Sequence, residues 1–351
     1  MQADIPWELL SAKVEAGVSL DEVEATQMAL WLADANENFD GKKRFLRALT
    51  LKGESVDEVF AFAKTFRDLA RHVDGLHMPA VAIDIVGTGG DKSGTFNISS
   101  ATSLIVSAAE VNVMKHGNRS ITSESGSADF LAGIGVPVEV PDAKLIQSLE
   151  QLHYCFFYAP SFHPTYKAFM PVRKALAAEG FKTVFNILGP LINPVSPPMY
   201  LLGVFSKQWV DLLAAVLARL GVRRGLVCHC ALREGGGLDE LATAGVNHVC
   251  GVGELAEVRG EWLPAHFGLE TRPREELLGG DPEENRILFA HFLDGEAPKG
   301  LRDTIVFNAA TSLWIAGRVP TVRDGIALAG ELLDNGTVRR HVEKIRQFYA
   351  E

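Results

Sequence analysis

Residues 84–119 read DIVGTGGDKSGTFNISSATSLIVSAAEVNVMKHGNR, and this stretch decides the fold. The apolar run Val81 to Val86 that leads into it has the composition of a buried strand. The run stops at Gly87-Thr88-Gly89-Gly90-Asp91, and Asn97-Ile98-Ser99-Ser100 then has the form of a helix start. A second apolar run, Val111 to Met114, delivers Lys115-His116-Gly117-Asn118-Arg119. Strand, glycine loop, helix, strand and basic turn together build a cup for phosphates. Glycines without Cβ let backbone N–H groups approach an anion closely. The following helix adds unpaired N–H groups and the positive end of its dipole. Lys115, at the end of the next parallel strand, falls on the same rim, where ligands of open α/β sheets bind. Asn97, Ser99 and Ser100 place an amide and two hydroxyls within reach of phosphate oxygens or a bound Mg²⁺. The plainer reading is a tight turn and an N-cap. The loop is neither a Walker A sequence nor a G-x-G-x-x-G fingerprint, so an ordinary nucleotide site is not implied.

Outward from this stretch, strand-like and helix-like segments alternate. Tyr154–Tyr158, Tyr200–Val204 and Gly225–Cys230 have strand composition, and 99–109, 142–152, 166–179 and 208–220 have helical character. Three helices are expected from Thr304 onward. The first 75 or so residues read as all-helical. Ser19-Leu20-Asp21-Glu22 and Ser55-Val56-Asp57-Glu58 have the form of capping boxes, and Val59, Phe62, Phe66 and Leu69 share one helical face. The expected fold class is therefore α/β: a small all-helical domain plus a larger α/β domain with a mainly parallel central sheet flanked by helices. The helical domain is assigned to 1–76 with a returning segment around 165–182, and the α/β domain to 77–164 and 183–351.

Bulk properties narrow the function classes. A chain of 351 residues, 47% hydrophobic and 22% charged, has ample material for a core. A net charge of -10 disfavours generic nucleic-acid or anionic-membrane binding. No apolar run approaches the roughly 20 residues that span a bilayer, and the N-terminal residues lack the pattern of a signal peptide. Four cysteines are too few for a disulfide framework, so the cytoplasm is the expected compartment. Cys228-His229-Cys230 tempts a metal reading, but alternate strand residues point to opposite faces, and core packing is the expectation.

Taken together, Gly87-Thr88-Gly89-Gly90-Asp91, Asn97-Ile98-Ser99, Lys115-His116-Gly117-Asn118-Arg119, Ser125-Gly126-Ser127-Ala128-Asp129, Met170-Pro171-Val172-Arg173, the run Phe185 to Pro194 and Leu238-Asp239-Glu240 resemble, in order, the anthranilate phosphoribosyltransferase family. Ala48 to Glu54 is similar to a segment of that family's helical domain, so the resemblance covers nearly the whole chain. It implies transfer of a phosphoribosyl group from 5-phosphoribosyl-1-pyrophosphate (PRPP) to anthranilate, in tryptophan biosynthesis, with Mg²⁺ as cofactor and a homodimer as assembly. By resemblance, Gly87, Gly90, Asp91, Thr95, Asn97, Ser99, Ser100, Lys115 and Ser127 hold PRPP. Ser99, Asp239 and Glu240 serve the metal. Gly87, His116, Asn118, Arg173 and Gly189 contact anthranilate, Arg173 being suited to its carboxylate because a guanidinium pairs with two oxygens at once. No catalytic base is implied, since catalysis here is placement and electrostatics. The plainer readings are a solvated acidic turn for Asp239-Glu240, a surface Arg on a helix for Arg173 and a structural role for His163. The segment between Arg173 and Phe185 looks about three residues longer than the family pattern, which lengthens the helix or loop behind Arg173.

Three alternatives stand beside this reading: a phosphoribosyltransferase for another aromatic acceptor, a pyrimidine nucleoside phosphorylase, and a nucleic-acid-binding paralogue without catalysis. Arg119-Ser120-Ile121-Thr122-Ser123 favours the anthranilate reading over the phosphorylase. The Asp239-Glu240 pair, Lys115 and the negative net charge disfavour the paralogue.

Overall fold

The computed structural model describes residues 5–35, 38–119 and 125–351; the Ser120 to Ser123 part of the segment just weighed lies outside them. Four helices open the chain: α1 (Trp7–Glu15), α2 (Glu22–Ala33), α3 (Phe39–Lys52) and α4 (Val56–Asp68). Ser55 caps α4 and Glu58 reaches back to it, as its spacing predicts. The first capping box differs from expectation. It is built by Asp21 and Glu24 rather than Ser19 and Glu22, and α2 starts at Glu22. Asp21 precedes the first helical residue and so faces the unpaired N–H groups, whereas Ser19 lies two residues too early.

The sheet region follows as β1 (Ala82–Gly87), α5 (Ile98–Ala108), β2 (Asn112–Gly117), α6 (Ser127–Gly133), α7 (Asp142–Leu152) and β3 (Tyr154–Tyr158). Then come α8 (Ala159–Phe162), α9 (Tyr166–Ala178), α10 (Phe185–Leu188) and a 3-10 turn, Gly189–Ile192. The sheet resumes with β4 (Met199–Gly203), α11 (Trp209–Arg219), β5 (Arg224–Leu232), β6 (Gly237–Leu238), β7 (Gly245–Gly253) and β8 (Arg259–Trp262). The chain closes with α12 (Pro282–Asp294), α13 (Lys299–Ile315), α14 (Val322–Asp334) and α15 (Thr337–Ala350). The three C-terminal helices are present, the first beginning at Lys299 rather than Thr304.

The strand order is β3-β2-β1-β4-β5-β7-β8, with β6 paired to β5. β1 to β5 run parallel, and β6, β7 and β8 add antiparallel pairings. The chain builds outward from β1 through β2 to β3, then returns to the other side of β1 with β4. The order therefore reverses between β1 and β4, and the crevice beyond their carboxyl ends is where such sheets place ligands. Alternate strand residues feed two cores. Ile83, Ile85, Met199 and Leu201 pack with α5 and α13 on one face. Val86, Tyr200 and Leu202 pack on the other with α11 and apolar side chains of α1 to α4. A strand buried on both faces reads as an unbroken apolar run, which explains why β1 and β3 were legible. α9 packs against α2 and α3. The segment beyond it is tied to the same helices, with Glu179 pairing with Lys43 at 2.5 Å.

Candidate functional site

The glycine loop leaves β1 at the reversal of strand order. Gly89 and Gly90 both take positive φ, 64° and 75°, which an L side chain resists. The loop wraps the acidic pair that lies 150 residues further on: Gly89 N donates to Asp239 Oδ2 at 2.6 Å. A Cβ on Gly87 would lie 2.3 Å from that oxygen, and one on Gly203, at the end of β4, 1.6 Å from the Asp239 carbonyl. The carboxyl ends of β1 and β4 thus form a bare seat for Asp239. The sequence left a solvated acidic turn open for this pair. In the fold Asp239 is buried and Glu240 half-buried, because the two-residue strand β6 turns the chain back under the loop.

Burial, with Asp91 and Glu240 beside it, pushes the Asp239 carboxyl well above the ordinary range. Burial likewise raises Glu240 to about 8, against the pull of Lys115. Asp91 Oδ1 accepts from Ser93 N at 3.1 Å, while its buried Oδ2 faces no donor among the described residues. The orphaned Asp91 oxygen and the Asp239 and Glu240 carboxyls are hard oxygen donors, the chemistry that a divalent cation such as Mg²⁺ takes. Among the described residues no group of three or more His, Cys, Asp or Glu side chains closes into a metal cage.

Lys115 belongs to β2 itself, which continues through Gly117 rather than ending at Met114. The ammonium is fully buried; it donates to Ile85 O at 2.5 Å and to Ser99 Oγ at 3.3 Å, so it lies between β1 and the first turn of α5. Burial pulls it down from the ordinary lysine range, and Asp84, Glu240 and Asp239 oppose that shift. Ser100 is buried, its hydroxyl without a hydrogen-bond partner among the described residues. Asn97 is the first residue before α5, yet its side chain caps nothing and is held by Ser125 and Asn285 instead. Thr95 bridges to Leu278. Ser127 opens α6 beside the end of β2, where a Cβ on Gly117 would touch its own Cβ at 3.1 Å. The fold thus brings Gly87, Asp91, Ser99, Lys115, Asp239 and Glu240 together at the carboxyl ends of β1, β2 and β4, with Gly90 in the same loop; Thr95 precedes α5, Asn97 and Ser100 lie at its start, and Ser127 opens α6.

Of the residues assigned to the acceptor, His116, Gly189 and Arg173 border a second, aromatic region, while Gly87 lies against Asp239. His116 donates through Nδ1 to Gly189 O at 3.2 Å, and its buried Nε2 has no partner among the described residues. Burial and His163 hold the imidazole neutral, well below its usual range. The His116 ring meets that of His163 at 5.2 Å, His163 meets Tyr166 at 5.5 Å, and Tyr166 joins Phe66, Phe169 and Phe185. Arg173, half-buried on α9, lies 5.7 Å from the Phe185 ring, and burial lowers its pKa. It is therefore not a solvated surface arginine. Asn118 is exposed at the end of β2, its Oδ1 accepting from Arg119 N.

Three participants carried no signal of their own in the sequence. Asp84 and Asn193, both buried, join at 2.9 Å, and Asn193 also donates to Met114 O, tying the 185–194 run to β1 and β2. Lys182 donates to Gly90 O at 2.8 Å and sits 3.7 Å from the Phe205 ring, while its own carbonyl accepts from Thr50 of α3. A lone lysine after a helix has nothing local to distinguish it from a solvated one. Away from the crevice, Cys228 and Cys230 are buried in β5 with thiols raised by burial, and His229 between them donates to Val204 O at 2.8 Å, as the core-packing expectation has it.

A mainly parallel sheet of reversed order, with a glycine loop closed on Asp239 and a buried lysine beside it, defines a class. Residues 79–339 match the sequence profile of the glycosyl transferase family, α/β domain. The chain is 40% identical over 339 residues to the anthranilate phosphoribosyltransferase of Anaeromyxobacter dehalogenans (strain 2CP-C), an alignment covering 97% of this chain and 96% of that protein. It superposes on the crystal structure of anthranilate phosphoribosyltransferase from Thermus thermophilus with a TM-score of 0.88 at 38% identity, covering 97% and 99% of the two chains. The enzyme of that name from Saccharomyces cerevisiae, in complex with PRPP and Mg, superposes with a TM-score of 0.85 at 25% identity, covering 99% of each chain. The chain belongs to the anthranilate phosphoribosyltransferase family.

Proposed function

We propose that the chain transfers the 5-phosphoribosyl group of PRPP to anthranilate, releasing pyrophosphate and forming N-(5'-phosphoribosyl)anthranilate in tryptophan biosynthesis. The observation that carries this reading is the closure of the Gly87–Asp91 loop on Asp239, beside Lys115 and the first turn of α5. The C1–O bond to pyrophosphate breaks, positive charge grows on the ribose and negative charge on the leaving group. Lys115, the loop amides and the α5 N-terminus stabilise that negative charge in a water-poor crevice. Asp239, Glu240 and Ser99 would hold Mg²⁺, which would supply positive charge to offset that of the leaving pyrophosphate. The aniline nitrogen attacks C1 and releases its proton to solvent, and the neutral His116 bordering the aromatic region holds no charge that would repel an amine. Arg173 pairs with the anthranilate carboxylate, with Asn118, Gly189 and Gly87 completing the acceptor contacts.

The same reading divides the chain into a helical unit, 1–76 with 165–182, and an α/β unit formed by 77–164 and 183–351. The packing of α9 on α2 and α3 supports this division. A homodimer is supported by the exposed Leu9, Leu30, Phe39 and Leu51 on the first helices. Among the described residues no helix is long and apolar enough to cross a membrane. All four cysteines are buried thiols, in keeping with a cytoplasmic setting.

Purified protein with PRPP, Mg²⁺ and anthranilate is expected to consume anthranilate fluorescence. PRPP binding without loss of fluorescence would assign a different aromatic acceptor.

A further inference from the structure

Beneath the phosphate cup runs a strap, residues 274–285, that no sequence motif had tied to the site. The Arg274 guanidinium donates to Ser93 O. Leu277 O accepts from Phe96 N at 2.9 Å, Leu278 bridges to Thr95, and Gly279 N donates to Gly94 O at 2.9 Å. The approach is close enough that a Cβ on Gly279 would lie 2.7 Å from Phe96 Cα. The strap ends at Asn285, in the first turns of α12 and 1% exposed. Its Oδ1 accepts from Gly280 N at 2.9 Å, and its Nδ2 donates to Gly280 O at 3.0 Å and to Asn97 Oδ1 at 3.1 Å. Asn97 Oδ1 also accepts from Ser125 Oγ, and Asn97 Nδ2 donates to Ser125 O.

An amide side chain has two faces of opposite polarity, and which one meets a ligand is set by what holds the other. Both Asn285 amide hydrogens and its oxygen are committed, so its own orientation is determined. Its donation to Asn97 Oδ1, with the two Ser125 bonds, fixes which end of the Asn97 amide faces the strap and leaves one Asn97 N–H on the other side. Were the Asn97 amide reversed, it would present an oxygen lone pair to the phosphates and repel them. We propose that Asn285 is a positioning residue for the phosphoribosyl donor: it fixes the Asn97 amide with its donor face toward PRPP, and the strap sets the height of the Gly94–Asn97 segment. This inference rests on the PRPP reading of the site.

The test compares wild type with Asn285→Asp and Gly279→Ala. The aspartate keeps the size of the side chain and the acceptor for Gly280 N, but it cannot donate to Asn97 and sets an oxygen against Asn97 Oδ1, so that the Asn97 amide is left to the Ser125 bonds and shifts from its wild-type position. The alanine lifts Phe96 and presses on Asn285 Oδ1, 2.6 Å from the new Cβ. Both variants are expected to raise the PRPP KM, and the PRPP Kd by titration calorimetry, tenfold or more. The anthranilate KM is expected to stay within twofold at a temperature well below the melting transition. A purely structural role lowers the folded fraction and kcat but leaves the PRPP KM alone, so folded variants with unchanged PRPP affinity overturn the assignment. A parallel rise in both KM values overturns it as well. Failure of wild type to bind PRPP overturns the donor reading along with it, which tight wild-type binding distinguishes from failure of the Asn285 assignment alone.

Discussion

Arg173 shows how much of a residue's meaning comes from where the chain puts it. In the sequence it is one basic residue on a helix; in the fold its guanidinium is half-buried beside an aromatic cluster that leads through Tyr166 and His163 to His116. Hydrogen bonds to charged groups contribute about 1.5–3 kcal/mol. Arg173→Ala is therefore expected to raise the anthranilate KM by roughly 10- to 100-fold while leaving the PRPP KM near wild type; a change confined to the PRPP KM would reassign Arg173. Gly203 gives the opposite lesson. Nothing in Leu201-Leu202-Gly203 marks it, yet a Cβ there would lie 1.6 Å from the Asp239 carbonyl. Gly203→Ala is expected to cost at least about 1–3 kcal/mol in urea unfolding. It is also expected to depress turnover by displacing Asp239. An active variant of wild-type stability would show that the seat is not rigid.

At the scale of elements, local signals located segments well and their ends less well. β3 and α7 begin and end where composition and periodicity place them, because apolar runs and caps are short-range features. β2 runs three residues beyond Met114, since pairing with β3 and not local composition decides how far a strand extends. The α2 capping box shifted from Ser19 to Asp21 because the helix start depends on which residue keeps extended backbone, and Asp21 does, with ψ 175°. Asp21→Ala is expected to destabilise the protein by about 1 kcal/mol, whereas Ser19→Ala is expected to change stability by only a few tenths. Chemical denaturation of the two variants checks this, and equal losses would return the cap to Ser19.

At the scale of the molecule, buried titratable groups couple the assembly of the core to pH. His341 of α15 pairs with Ser107 of α5 at 2.9 Å, and burial lowers it to about 4. His163 is lowered to about 4 for the same reason. A histidine whose folded pKa lies below its unfolded value of about 6.5 binds fewer protons in the native state. Its contribution is complete above pH 6.5 and is lost as pH falls toward 4. For His341 the loss is at most about 3 kcal/mol. Asp84, raised to about 6 by burial, acts in the opposite sense, so the informative quantity is the difference between wild type and His341→Gln. The variant is expected to show a shallower decline in urea midpoint between pH 6.5 and 4.5; parallel curves would remove His341 as a contributor.

The sequence by itself determined the glycine loop between β1 and α5, the strand–helix alternation, the helical beginning and the membership of Gly87, Asp91, Ser99, Lys115 and Asp239-Glu240 in one ordered set of motifs. Those features are written in short-range chemistry: glycines where backbone must bend, apolar runs where both strand faces are buried, caps before helices. Only the tertiary structure decided that Asp239 is buried in a seat made by Gly87 and Gly203, that Lys182 reaches Gly90, and that Asn285 holds Asn97 from 188 residues away. Each of these depends on the order of strands around β1 and β4, and strand order is set by which faces can be buried together, a property of the whole sheet that no local stretch encodes.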